Sequence, residues 1–204
     1  MTTFVKICGL TDAAAVQAAV NAGADAVGFV FARSSRRVTP QHAAAISNQV
    51  PARVKRVAVM LHPSNDEWNE VAEVFQPDVL QTDAADFAGL DVAASIERWP
   101  VFRQGVANTD NKMLRIFVYE GQKSGRGETI DWTIAAGLAK HGRMILAGGL
   151  SAANVADAIT TVAPYGVDVS SAVESAPGRK DAAKIKAFIG AARNTDSLNK
   201  ELRR

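Results

Sequence analysis

MILAGGLSAANVADAITTVAPYGVDVSSA, residues 144–172, spells out one full repeat of the pattern that runs through the chain. A short apolar run, Met144–Ala147, meets two glycines, then an Ala-rich stretch of helical spacing at Ser151–Thr161, then a second apolar run at Val167–Val169. Short runs rich in Val, Ile and Leu, bounded by turn residues and separated by a helical stretch, are the mark of parallel strands joined by a crossover helix. Strands of that kind are covered on both faces, so they read as nearly continuous apolar runs.

Outward from this unit the same alternation recurs. Strands are expected near Phe4–Cys8, Ala26–Phe31, Val54–Leu61, Val79–Gln81, Val101–Gln104, Arg115–Glu120, Met144–Ala147 and Val167–Val169. Helical spacing falls on Asp12–Ala22, Pro40–Gln49, Ser64–Phe75, Asp131–His141, Ser151–Thr161 and Ala182–Ala192. Thr11 or Asp12, Ser64, Asp131, Ser151 and Asp181 are residue types that can cap a first helical turn. Ala84–Arg98 should hold at least one helix, whereas Val106–Lys112 is too short and too polar for a full one. Eight such strands separated mostly by helices predict an α/β fold, a compact closed (β/α)8 TIM barrel whose fifth helix is reduced or absent. One catalytic domain should span residues 1–194, and residues 195–204 should form a polar C-terminal tail. A doubly wound open sheet is the alternative, but it would usually carry a phosphate loop after its first strand, and Cys8, Gly9 and Leu10 follow here without a GxGxxG pattern.

Composition narrows the function classes. The chain has 204 residues, 48% hydrophobic and 22% charged, and its 23 Lys+Arg nearly balance 21 Asp+Glu. A net charge of +2 leaves no broad basic face for nucleic acid or an acidic membrane. The N-terminus, MTTFVKICGL, lacks a basic region followed by a long apolar run, and no stretch approaches the ~20 apolar residues of a membrane span. A cytoplasmic location is expected. Cys8 is the single cysteine, so neither an internal disulfide nor a cysteine-built zinc site is expected.

In a barrel of this kind the active site is built at the C-terminal ends of the strands. Candidates are therefore Cys8 after strand one, Arg36 after strand two, Gln81 to Asp83 after strand four, Glu120 after strand six, Gly148 and Gly149 after strand seven, and Asp168 to Ser171 after strand eight. AGGLS and DVSSA offer glycines, small residues and helix starts where backbone amides can close on an anion. Glycine pairs and serines also serve as plain turns and caps, and a lone cysteine is often buried filler. The placement in strands seven and eight of one barrel favours a phosphate cradle. Lys6 lies two residues before Cys8 and shares its strand face, where a cation would lower the thiol pKa and supply thiolate.

With these positions assembled, the chain resembles phosphoribosylanthranilate isomerase along nearly its whole length. The resemblance rests on VKICGLTD, GADAVGFVFARSSRRVTP, VKRVAVMLHPS, GRGETIDW, LAGGLSAANVADAI and YGVDVSSAVESAPGRKDAAKIKAFI, in that order. It implies an Amadori rearrangement of N-(5-phosphoribosyl)anthranilate in tryptophan biosynthesis, with a small-molecule substrate, no cofactor and no metal, in a monomer or homodimer. It implies Cys8 as general base. The family acid is an Asp ending strand six, where this chain has Glu120, and the loop before GRGETIDW is shorter than usual, so a longer side chain reaching the same point is expected. That role asks the pocket to hold Glu120 protonated. Lys6, Arg36, Gln81 and Asp168 are expected around the substrate, Arg36 on the anthranilate carboxylate, and Gly148, Gly149, Ser170 and Ser171 around its phosphate.

The chain also departs from the family. Thr82 and Asp83 stand where a QLHG pattern has His and Gly, and Ala172 replaces a usual glycine. Asp131 in TIDW reads as a helix cap rather than an acid. The rivals are a histidine-pathway isomerase, which would carry an aspartate where this chain has Cys8, and a non-catalytic barrel that senses its ligand.

Overall fold

The computed structural model of the chain describes residues 2–105, 114–121 and 130–201. Eight parallel strands close into a barrel in chain order: β1 (Phe4–Cys8), β2 (Ala26–Val30), β3 (Lys55–Val59), β4 (Val79–Asp83), β5 (Glu97–Arg103), β6 (Leu114–Glu120), β7 (Gly142–Leu146) and β8 (Gly166–Val169). β8 pairs back onto β1 with Val5 opposite Val167 and Lys6 opposite Asp168, which removes both sheet edges. The expected barrel is the fold the chain adopts. α1 (Ala13–Ala22), α2 (Pro40–Ser47) and α3 (Asn65–Phe75) follow the first three strands, and α4 (Trp132–Leu138), α5 (Val155–Val162) and α6 (Ala182–Glu201) follow the last three. A small antiparallel hairpin, β9 (Glu174–Ala176) with β10 (Arg179–Lys180), precedes α6 and is not foreseen by the strand pattern.

Helix starts follow the local chemistry. Asp12 accepts from the Ala15 amide, Ser64 and Glu67 form a reciprocal capping box, Asp131 accepts from the Thr133 and Ile134 amides, and Asp181 accepts from the Lys184 amide. Ser151 is not a cap. Its amide donates to Asn154 Oδ1, Asn154 Nδ2 donates to the Gly149 carbonyl, and the helix begins at Val155. An asparagine that ties the preceding turn competes locally with helix, which delays the start.

Ala84–Arg98 departs from expectation more strongly. It holds one five-residue 3-10 helix, Ala84–Ala88, in place of an α-helix, and then passes through a turn in which the Ile96 amide donates to the Ala93 carbonyl before β5 starts at Glu97. The loop's backbone is satisfied from α3: Asn65 donates to the Gly89 carbonyl and accepts from the Asp91 amide, and Trp68 Nε1 donates to the Asp91 carbonyl. Leu90 and Val92 are buried as anchors, so the segment is held without an α-helix. The stretch Val106–Lys112 lies outside the described residues, and the described α-helices number six. α6 runs on past Thr195, whose buried hydroxyl donates to the Ala191 carbonyl.

Strand alternation divides the apolar residues into two cores. Val5, Ile7, Val27, Phe29, Leu80 and Phe117 face outward into a layer shared with the helices, where Trp68, Val71 and Phe75 of α3 meet them on one helical face. Ala26, Val57, Val79, Trp99, Val118 and Ile145 fill the barrel itself. Its floor is aromatic: Phe4 meets Trp99 edge-on with centroids 5.8 Å apart and stacks on Tyr165 at 5.5 Å. That floor closes the N-terminal end and leaves the other end open for polar residues.

Candidate active site

The same alternation places polar side chains at the inner ends of the strands. Cys8 of β1, Gln81 and Asp83 of β4, Arg103 of β5, Glu120 of β6 and Asp168 of β8 all line one cavity of about 530 Å³. Arg36, Gly148, Gly149, Ser170 and Ser171 line it from the loops. Of the strand-end residues singled out from sequence, Lys6 and Thr82 are not on the wall: Lys6 is wholly buried one inward position deeper than Cys8, and Thr82 is wholly buried between Gln81 and Asp83.

Lys6 and Asp168 are opposite each other across the β1–β8 seam, and Nζ stands 2.9 Å from Oδ2. Burial works against the charge of Lys6, yet Asp168 and Cys8 outweigh it and hold the ammonium above the ordinary lysine range. Burial pushes Asp168 up, with Lys6 opposing. A buried pair of this kind costs desolvation and is held by its geometry. Asp168 Oδ1 and Gln81 Oε1 are buried acceptors with no hydrogen-bond partner.

Burial pushes the Cys8 thiol up as well, and Lys6 and Lys180 pull it down without prevailing. The expectation of a depressed thiol pKa is therefore corrected: the cation acts in the expected direction, but desolvation of the thiolate is the larger effect. Gly28 makes the arrangement possible. A Cβ there would stand 3.1 Å from Cys8 Sγ and 3.2 Å from Lys6 Nζ.

Arg36 reaches the cavity already engaged. Its Nε lies 2.6 Å from Glu174 Oε1 and its Nη2 2.9 Å from Oε2, a two-pronged pair supplied by the hairpin. Lys180 Nζ, with a side chain of 0% exposure, donates to Glu174 Oε1, to the Ser170 carbonyl and to Ser170 Oγ. Burial opposes the Glu174 charge, but Arg36 and Lys180 together hold it below the usual carboxylate range. Burial lowers Lys180 despite Glu174.

At the end of β6, three strands from β1 around the barrel, Glu120 pairs with Arg103, its register partner across β5 and β6, with Nη1 2.5 Å from Oε1. The other edge of the guanidinium holds Asp83, Nη2 to Oδ1 at 2.6 Å. The chain of contacts continues through His62, whose Nδ1 lies 2.9 Å from Asp86 Oδ1, and a hydrogen bond to Asp86 raises the imidazole pKa. Thr82 Oγ1 donates to Asp86 as well. So Thr82 and Asp83, the two departures on strand four, belong to an ionic rim that ends on Glu120.

Gly148 and Gly149 both take positive φ, 94° and 66°, which turns the chain after β7, on the same cavity wall as Ser170 and Ser171, which follow β8. This is a small-residue lining with room for an anion. Arg103, Glu174 and Lys180 are residues that sequence reasoning missed. Arg103 ends an inward-facing strand position, the signal used for the others, and Glu174 and Lys180 flank the Pro-Gly turn of AVESAPGRKD.

The N-(5'phosphoribosyl)anthranilate (PRA) isomerase family profile matches residues 5–191. The N-(5'-phosphoribosyl)anthranilate isomerase of Pelobacter propionicus is 40% identical over 215 residues, spanning 95% of this chain and 97% of that protein. TrpF from Jonesia denitrificans aligns in structure over 96% of this chain and 98% of its own, with 36% identity and a TM-score of 0.80. A phosphoribosyl anthranilate isomerase solved in complex with reduced 1-(o-carboxyphenylamino)-1-deoxyribulose 5-phosphate aligns over 95% of this chain and 100% of its own, with 31% identity and a TM-score of 0.78. The matched span runs from β1 into α6 and takes in every strand that lines the cavity. By sequence and by fold, the chain belongs to the N-(5'-phosphoribosyl)anthranilate isomerase family.

Proposed function

We propose that in this isomerase, which rearranges N-(5-phosphoribosyl)anthranilate to 1-(2-carboxyphenylamino)-1-deoxyribulose 5-phosphate in tryptophan biosynthesis, Cys8 is the general base and Glu120 the general acid. The observation that supports this reading is their placement: each ends an inward-facing strand position on the same cavity, on strands β1 and β6 of one closed barrel. The reaction needs an acid for the furanose ring oxygen, so that the ring opens to a Schiff base. It then needs a base for the proton on the second ribose carbon, which gives the enol and then the ketone. The electron pair moves within the substrate, and this chemistry calls for no hydride carrier.

The other groups fit the parts of that substrate. Asp168 Oδ1 and Gln81 Oε1 are unpaired buried acceptors, which sugar hydroxyls satisfy by donating to them. Arg36 takes the anthranilate carboxylate, to which a guanidinium fork is matched. Gly148, Gly149, Ser170 and Ser171 surround the phosphate. A cytoplasmic location belongs to the same reading and rests on the tryptophan-biosynthesis assignment. The test is turnover of N-(5-phosphoribosyl)anthranilate by the purified protein, followed by loss of anthranilate-type fluorescence. Wild-type turnover abolished in Cys8→Ala supports the reading, and a folded wild type that binds the substrate without converting it contradicts it.

A further inference from the structure

The hairpin β9–β10 is small, yet it holds the loop that carries Arg36 from two sides. A Cβ on Gly178 of the hairpin would stand 2.4 Å from the Ser35 carbonyl oxygen, and one on Gly9 after β1 would stand 2.5 Å from Arg36 Cδ. The arginine is thus wedged between the end of β1 and the hairpin, in contacts that only glycines allow. Within that wedge Glu174 takes Nε and Nη2. A guanidinium has a fixed fork, so with that edge occupied its Nη1 end is the part left to meet a ligand.

We infer that Glu174 is a positioning residue for substrate: by gripping one edge of Arg36 it fixes the other edge for the ring carboxylate of the substrate. The inference rests on the reading of Arg36 given above. Glu174 is itself built to stay put, because Lys180 Nζ donates to its Oε1 and Lys184 Nζ to its backbone carbonyl. Lys180 also holds Ser170, whose Oγ donates to the Cys8 carbonyl, so the grip on Arg36 is anchored to the strand that carries the base. Two effects of Glu174 oppose each other. As an anion beside Arg36 it competes with the substrate carboxylate, whereas as an anchor it removes the side-chain freedom that binding would otherwise have to freeze out. With Glu174 buried and two-pronged, the anchor is the larger effect, so its removal weakens binding.

The test is a double-mutant cycle of Glu174→Gln and Arg36→Met, read by steady-state kinetics and by titration with a reduced product analogue and with inorganic phosphate. Glu174→Gln should raise KM and weaken the analogue about tenfold, with kcat within about threefold and inorganic phosphate unaffected, and should add less than about twofold in the Arg36→Met background. Glu174→Asp keeps the charge that Lys180 needs and should show the same split more weakly, which serves if the Gln variant folds poorly. Parent-like or lower KM in Glu174→Gln overturns the inference, as do losses that are equal with and without Arg36 or that extend equally to inorganic phosphate. Unchanged analogue affinity in Arg36→Met overturns the reading of Arg36 and takes this inference with it.

Discussion

Arg103 and Glu120 face each other as register partners across β5 and β6, with the guanidinium Nη1 2.5 Å from Oε1. Arginine has only donors, so while Glu120 Oε1 accepts from it, that oxygen cannot give a proton in the same direction. The acid role proposed for Glu120 therefore asks Oε2 to carry the proton, with Asp83 holding the other edge of Arg103. Arg103→Met should lower kcat about tenfold while the product analogue binds within a few-fold of the parent, because the carboxyl loses its aim rather than the pocket its shape. Equal kcat in this variant would separate Arg103 from the chemistry.

Cys8→Ala should leave the fold intact and lower turnover on the order of a hundredfold or more, as losing a general base does. Circular dichroism and the thermal midpoint check the fold, and fluorescence-monitored turnover checks the rate. A folded Cys8→Ala protein with near-parent turnover removes the thiol from the mechanism.

The pH profile follows from the Cys8 environment. A thiol acts as base only when ionised, so a pKa pushed up by burial makes kcat/KM rise with pH through and beyond neutrality instead of levelling off below it. Lys6 pulls that pKa down. Lys6→Met should therefore shift the acid limb to higher pH, and it should also lower the thermal midpoint because Asp168 is left buried without its cation. An acid limb that stays in place, or moves to lower pH, contradicts this account of the site.

Much of this was legible in the sequence because the site is written in strand ends. Once the strands are placed, Cys8, Gln81, Glu120 and Asp168 must lie at the mouth, with Lys6 one inward position below. What the sequence could not show was which charges pair. Arg36 is as well suited to a ligand carboxylate as to Glu174, and only the fold of the hairpin brings Glu174 to it. A hairpin of three and two residues is too short to carry an alternation signal. Ala84–Arg98 holds a helix only as the short 3-10 stretch Ala84–Ala88, for a related reason: its alanines favour helix, but Asn65 and Trp68 of α3 capture the backbone that follows.

The phosphate cradle predicts a separation of binding from stability. A bulky side chain at Ser171, on the cavity wall, should raise KM more than it shifts the thermal midpoint, whereas at Gly149, whose φ is 66°, it should raise KM and lower the midpoint as well; inorganic phosphate should compete weakly with substrate in the parent. Phosphate competition that is undiminished in both variants would move the cradle elsewhere.

The pairing of Cys8 with Glu120 is tested most directly by the turnover of Glu120→Gln, measured beside the parent and with product-analogue affinity determined on the same samples. The glutamine matches the carboxylate in size but cannot donate an acidic proton, so kcat should fall on the order of a hundredfold while analogue affinity stays within a few-fold, and Glu120→Asp should retain partial activity limited by its shorter reach. Parent-like turnover in Glu120→Gln would contradict the account and pass the acid role to Asp83 or Asp168.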